Sequence, residues 1–281
     1  MKALCLPGGG AHGILQLGML AAYLDSQQTY DSLYCTSVGA LNGFMLHSNQ
    51  FPELINIWKN MNNNHIYQWN LFKIFGTAAS LASSSPLEQL IKSYLNYTAL
   101  ARTDKKCFIS VTNLSTMKAE TKQVPCDNTA QWILTSASAP LAFPIQTING
   151  KQYSDGGMTR DFSIEQAIKD GHTEIVVLCP SALSSKPIRN LIDMLEAQLA
   201  VQAASQYQDE VEMARILNKS QNVISLTVYR PNSVPFGQLD FNYAGKNFDK
   251  LYKLGYDMLS KPAVQFRRTL IANKPTWMVY H

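Results

Sequence analysis

Asp31–Gly43, DSLYCTSVGALNG, is the stretch on which the reading of this chain turns. Leu33, Tyr34 and Cys35 form a short apolar run, read as the end of a strand. Thr36-Ser37-Val38-Gly39 follows, and the small residues Ala40 to Gly43 open a helix. Strand, sharp turn with a serine at its apex, helix: this is the layout of a nucleophile elbow. Strain in such a turn lifts the hydroxyl clear of the sheet. The helix N-terminus behind it aims free N–H groups at the same point. A serine there attacks with dipoles already placed for the oxyanion that follows. The competing reading is a serine serving only as a turn residue. Partners elsewhere in the chain decide between the two.

The first partner is upstream. Lys2 to Leu6 reads as an apolar strand, Pro7-Gly8-Gly9-Gly10-Ala11-His12-Gly13 as a glycine loop, and Ile14, Leu15, Leu17, Leu20, Ala21 and Leu24 recur at helical spacing. Glycines let successive N–H groups converge on one point at a helix start. Gly8-x-Gly10-x-x-Gly13 matches a dinucleotide fingerprint, but that fold wants an acidic residue ending the second strand. Here the second strand ends at Ser37, and Asp31 precedes it. A plain turn for chain reversal is a further reading. The favoured reading is an oxyanion hole from Gly8, Gly9 and Gly10. Adjacent parallel strands then bring loop and elbow to one rim.

Downstream, Phe51 to Asn60 reads as a helix. The aromatic run Tyr67, Trp69, Phe72, Phe75 reads as core packing or as the lining or cover of an apolar groove, within a segment 51–100. Ser85-Pro86-Leu87-Glu88 opens another helix. Lys106 to Leu114 reads as a buried strand, Lys118 to Val124 as an edge strand, Thr129 to Ala139 as a helix. Gln152 to Ser154 leads into Asp155-Gly156-Gly157, a strand-end aspartate with glycines clearing space around it. Ser163 to Lys169 is read as a helix and Glu174 to Cys179 as a buried strand. Pro187 to Asn218 is one long helical segment, Asn222 to Tyr229 a strand, and Asn242 to Ser260 and Pro262 to Ala272 helices. No repeat or linker interrupts this, so residues 1–281 are read as one domain. Strands alternating with helices predict a three-layer α/β/α fold on a mainly parallel sheet.

A neutral hydroxyl needs a proton acceptor. The histidines are His12, His47, His65, His172 and His281. His172 falls before a strand, at the amino edge of a parallel sheet and away from the elbow. His281 ends the sequence, His47 lies about two turns along the elbow helix, and His65 follows a run of asparagines. Only His12 stands near the glycine loop. Asp155 is placed better, at a carboxyl edge. Carboxylate is the weaker base by about 2 pKa units, and desolvation narrows that gap. A Ser37–Asp155 dyad is therefore feasible. Taken alone, Asp-Gly-Gly is also an ordinary turn.

The composition fits. Apolar residues are 46% and charged residues 16%, which argues against disorder. A net charge of +4 without a basic run argues against nucleic-acid binding. Five scattered cysteines show no metal-ligand spacing and suit a reducing compartment. No signal pattern and no run of about 20 apolar residues is present. The expectation is a soluble, cytoplasmic protein.

Taken together, the motifs resemble the patatin-like phospholipase family across most of the chain. Residues 8–13 resemble its oxyanion loop. Residues 35–39 resemble its G-x-S-x-G elbow. Ser136-Ala-Ser-Ala-Pro140 with Phe143-Pro144 is similar to the turn before its aspartate, and 155–157 is similar to its D-G-G/A motif. The resemblance implies a Ser37–Asp155 dyad hydrolysing lipid acyl esters through an acyl-enzyme at a membrane or micelle surface, with no metal, other cofactor or histidine needed. Some members need calcium or a protein activator; no residue here points to either. Two positions depart from the pattern. Cys35 replaces the first elbow glycine and crowds the neighbouring backbone. His12 stands where the family has Arg or Lys, so support for an oxyanion or lipid phosphate is expected to be weaker and pH-sensitive. An inactive lipid-binding scaffold on the same fold is the alternative.

Overall fold

The computed structural model describes residues 1–69, 80, 82–182, 187–221, 224–271 and 274–280, with side chains at all of these except 69, 219–221 and 266–280. The chain begins β1 (Lys2–Leu6), α1 (Gly13–Asp25), β2 (Ser32–Cys35) and α2 (Val38–His47). It continues with α3 (Phe51–Lys59), α4 (Asn63–Ile66), the short pair β3 (Gln68–Trp69) and β4 (Ala82–Ser83), α5 (Ser85–Tyr94) and α6 (Tyr97–Ala101). Next come β5 (Lys106–Asn113), β6 (Lys118–Val124), α7 (Thr129–Ser136), β7 (Gln146–Ile148), β8 (Lys151–Asp155), α8 (Ile164–Lys169) and β9 (Glu174–Leu178). The last part is α9 (Leu191–Gln221), β10 (Ser225–Tyr229), α10 (Phe241–Lys246), α11 (Phe248–Asp257), β11 (Val264–Ile271) and β12 (Lys274–Tyr280).

Ten strands form one sheet, and its centre, β10-β9-β1-β2-β5, is parallel. Alternation along these strands builds two cores. Leu4, Leu6, Leu33, Cys35, Val176 and Leu178 face the layer that includes α1 and α2. Ala3, Cys5, Tyr34, Ile175 and Val177 face the layer of α8 and α9. Strands apolar on both sides need helices on both sides, hence three layers. No helix among the described residues is long and apolar enough to cross a membrane.

The flanks are antiparallel. Residues 262–272, expected as a helix, hold β11 instead, paired antiparallel to β10 with Leu226 opposite Phe266 and Val228 opposite Val264. Val264, Thr269 and Ile271 are β-branched and Phe266 is aromatic. An unpaired β10 edge gives them a ladder that outweighs their local spacing. At α5 the helix starts at Ser85 itself, and Glu88 bonds Lys92 rather than closing a capping box. Phe72, Phe75 and His281 lie outside the described residues.

The decisive detail is at β5. Antiparallel β6 takes one of its edges from Cys107 to Asn113. The other edge is shared. Parallel β2 runs along it until Cys35 stands opposite Ile109. Antiparallel β8 comes from the far end until Asp155 stands opposite Val111. The two strands run toward each other in one lane and stop on either side of Ser110. The expected position of Asp155 at the rim holds, but by another route. β8 is not a further parallel strand, and Asp155 reaches the elbow because β5 overruns β2.

Cys35 is accommodated rather than crowding the elbow. It is fully buried, and its thiol fills the space beside Gly43 on α2, where a Cβ would fall 2.3 Å from Sγ. The side chain missing at Gly43 makes room for the one gained at Cys35. Gly43→Ala is therefore expected to destabilise by about 1–3 kcal/mol in urea unfolding. Adding Cys35→Gly should recover much of that loss. Strictly additive losses would show that the two positions do not share this space.

Candidate active site

Ser37 sits between β2 and α2 with φ 54° and ψ −124°, a conformation L-residues rarely hold. Its neighbours enforce it. The Ser37 N–H donates to Ser136 Oγ at 3.0 Å, and Ser136 Oγ–H donates to the Ser110 carbonyl at 2.7 Å. Thr36 N–H bonds the Leu6 carbonyl at 3.0 Å. Gly39 lies so near β1 that a Cβ would fall 1.9 Å from that same carbonyl oxygen. The elbow is thus stitched to β1 on one side and to β5 on the other, and Val38 opens α2, so its N–H is among the first-turn donors with no partner inside the helix.

Asp155 meets the serine. The Ser37 hydroxyl favours its charged form, and its carboxylate takes the Gly157 N–H at 2.8 Å. Burial pushes its carboxyl up to about 7, against the pull of the Gly157 N–H and the Ser37 hydroxyl, and nearby Asp161 pushes the same way. Asp161 is itself buried and pushed up to about 6 by desolvation, opposed by a bond from the Gly8 amide at 2.7 Å.

The glycine loop faces them. Gly9 and Gly10 have φ of 155° and 53°, a geometry that suits glycine. Neither N–H has a protein acceptor among the described residues, whereas Ala11 N–H and His12 N–H are bonded to Gln238 and Gly9 carbonyls. Of the three expected donors, Gly8 differs: its N–H is held by Asp161. His12 also differs from its expected part in anion support. Its ring is buried, with Nδ1 2.9 Å from Ser181 Oγ and Nε2 donating to the Phe236 carbonyl at 3.0 Å. It ties the loop to the segments around 181 and 236.

A pocket opens over Ser37, Asp155, Gly9 and Gly10, walled by Leu41, Ile66, Leu87, Phe143, Leu199 and Phe241. A second, almost wholly apolar pocket adjoins it and shares Val38, Leu41, Ile66 and Phe241. Of the aromatic run, Tyr67 packs in the core against Phe143 and Phe241, and its hydroxyl bonds the Leu239 carbonyl at 2.6 Å.

The other described histidines are remote. His172 packs on Tyr34 at the amino edge of β9, and its Nδ1 lies 3.1 Å from the Ala167 carbonyl. His47 is buried, and burial lowers it to about 4. His65 accepts the Asn62 N–H within a helix cap. Asp31 binds the Lys2 N–H at 2.6 Å at the far edge, so no carboxylate ends β2 as a dinucleotide site would want. Among the described residues no group of three or more His, Cys, Asp or Glu could hold a metal.

Sequence reasoning missed Asp161 as a site residue. Its only mark was an acidic residue in the segment after Asp155. It also missed Ser136 as a brace, since nothing local links a helix-end serine to a backbone ninety-nine residues away.

Against known proteins, the model of the patatin-like phospholipase family matches residues 4–168, more than half of the chain and every motif above. No curated protein matches. Among solved structures, VipD from Legionella pneumophila superposes with a TM-score of 0.44 and 12% identity over 92% of this chain and 66% of that one. This chain thus spans just under two thirds of that structure's length. The family match agrees with the order of glycine loop, elbow and Asp-Gly-Gly found in the fold. The chain belongs to the patatin-like phospholipase family.

Proposed function

We propose that this protein is a serine hydrolase of fatty-acyl esters in lipids, phospholipids foremost, working through a Ser37–Asp155 dyad at a membrane or micelle surface. The observation that carries the reading is the strained Ser37 lining one pocket with a buried carboxyl that is held near 7 and whose charged form the serine hydroxyl favours. Such a carboxyl is basic enough to take a proton at neutral pH and acidic enough to return it. Ser37 Oγ attacks the ester carbonyl while its proton passes to Asp155. The oxyanion forms against the Gly9 and Gly10 amides, with the Val38 amide alongside. Collapse expels the alcohol, which receives the proton from Asp155. Water then attacks the acyl-serine, Asp155 takes its proton, and the fatty acid leaves. The acyl chain lies along Leu41, Ile66 and Phe241 toward the adjoining apolar pocket.

Ser37→Ala and Asp155→Asn are expected to lower hydrolysis of a short acyl ester by about 10²-fold or more while the fold persists. A fluorophosphonate probe should label the parent protein and not Ser37→Ala. Full activity in either variant, or an unlabelled parent, overturns the reading in favour of a lipid-binding scaffold. Leu41→Trp should depress turnover of long-chain esters far more than of butyrate, read as a chain-length profile.

Activity and stability are expected to respond to pH in opposite directions. Asp155 must be ionised to act, so kcat/KM should rise with pH through about 7. Asp155 and Asp161 titrate near 7 and 6 when folded and near 3.8 when unfolded. Between those values the folded state holds protons that the unfolded state has released. Their stabilising contribution is therefore full below about 3.8 and lost as pH rises through 6 to 7. Urea unfolding at pH 5 and pH 8 should show this decline in the parent and a shallower one in Asp155→Asn.

A further inference from the structure

The dyad explains one buried carboxylate of the site, and the site holds two. We propose that Asp161 is a positioning residue: its carboxylate anchors the Gly8 amide, and through it the glycine loop, against Ser37, and its charge strengthens Asp155 as the base. This rests on the hydrolase reading above.

The anchoring is direct. Asp161 Oδ1 accepts the Gly8 N–H at 2.7 Å. Gly8 in turn is so close to the elbow that a Cβ on it would lie 2.9 Å from Ser37 Cβ and 3.0 Å from Asp161 Oδ1. Asp161, Gly8 and Ser37 therefore form one contact line with no room for a side chain between them. The amides of Gly9 and Gly10 follow at once in the chain, so the bond at Gly8 sets where they point. A shift of about 1 Å in such a loop costs on the order of 10²-fold in rate.

Asp161 is held from behind. Its own N–H donates to Gln206 Oε1 at 2.7 Å, and Gln206 Nε2 donates to the Gly157 carbonyl at 2.9 Å. One side chain of α9 thus spans the turn that carries both carboxylates. Gln202, one turn earlier, bonds the Met158 carbonyl. Glu210, one turn later, takes the Glu165 N–H at 3.0 Å. The residues 202, 206 and 210 form one helical stripe that clamps 157–165.

An asparagine would bind the Gly8 amide as well and would be cheaper to bury. A carboxylate must therefore be judged by what its charge does. A Cβ on Gly157 would lie 3.1 Å from Asp155 Oδ1 and 3.5 Å from Asp161 Oδ1, so both oxygens border one small space. An ionised Asp161 there favours the protonated form of Asp155, which forms as Ser37 attacks. The other titratable groups around Asp161 are few. Glu210 of α9 is buried and also pushed up, to about 7, by desolvation. Arg160 is bonded to Gln166 and Glu165 of α8. Cys179 after β9 is pushed up by burial, with Asp161 adding to the effect. His12 of the loop is tied to Ser181 and Phe236.

The test compares Asp161→Asn and Asp161→Ala with the parent on a short acyl ester across pH, with thermal melts alongside. Asp161→Asn should keep most of kcat, because the amide oxygen still holds Gly8. Its acid limb of kcat/KM should move to lower pH by on the order of half a unit, since Asp155 loses a like-charged neighbour. Asp161→Ala should lose about tenfold or more in kcat with KM little changed. An acid limb of Asp161→Asn in the parent position overturns the proposal, whether or not the alanine variant folds. So does a folded Asp161→Ala with parental kcat. Ser37→Ala separates the two levels. If it stays active, the hydrolase reading itself fails. If it is inactive while the Asp161 variants behave as the parent, only the role of Asp161 fails.

Discussion

The site depends on two strands competing for one edge of β5. β6 occupies the opposite edge along the full ladder, so β2 and β8 must share what remains. They run in opposite directions and stop with Ser110 between them. Where each stops, a backbone turn has to leave the sheet: the elbow after Cys35 and the Gly156-Gly157 turn after Asp155. Both turns therefore rise at one place. The pairing of hydroxyl and carboxylate follows from where two ladders end, and Ser110 bonds both departures through its carbonyl to Ser136 and its hydroxyl to Ser163.

This arrangement explains why the strain at Ser37 persists. A positive φ on a non-glycine residue costs on the order of 1–3 kcal/mol and survives only when its surroundings over-determine it. Here Ser136, the Leu6 carbonyl and the close contact of Gly39 with β1 each fix one side of the turn. The flat, Cβ-free face of α2 at Gly39 and Gly43 is what lets the helix lie against β1 and the Cys35 thiol. Gly43 thus takes over, from the helix side, the clearance that the strand side lacks.

Much of this was legible in the residues. The elbow, glycine loop and Asp-Gly-Gly turn each carry a local signature, because each needs a particular backbone geometry at particular glycines. Lys118–Val124 matched its strand to the residue for the same reason: alternation and turn signals are local. The direction of β8 was not legible. Whether Gln152 to Asp155 runs with or against β5 depends on what already fills the edges of β5, which no window of sequence contains. Residues 262–272 were misread because their fate is set by an open edge on β10, again a non-local fact. The parts of Gly8 and His12 were obscured for a related reason. Both can serve an anion in isolation, and both are engaged by residues more than 150 positions away, Asp161 for one and Ser181 and Phe236 for the other.

The charge logic of the site follows from its dryness. Desolvation is the leading influence on both aspartates, ahead of any hydrogen bond. In water two such carboxyls would both be ionised well below neutral pH and neither would be much of a base. Buried side by side, they cannot both carry full charge cheaply, and the one that also faces Ser37 is the one whose proton is exchangeable with a reacting group. Asp161 has a backbone donor from the glycine loop, which favours keeping its charge; Asp155 has Gly157 and the serine. In the proposed mechanism, when the serine proton moves to Asp155, the repulsion between the pair falls as negative charge appears on the substrate oxygen near the Gly9 and Gly10 amides. The proposed reaction thus shifts charge from a place with a like-charged neighbour to a place of N–H dipoles, and the same helix, α9, holds the turn that carries both carboxylates.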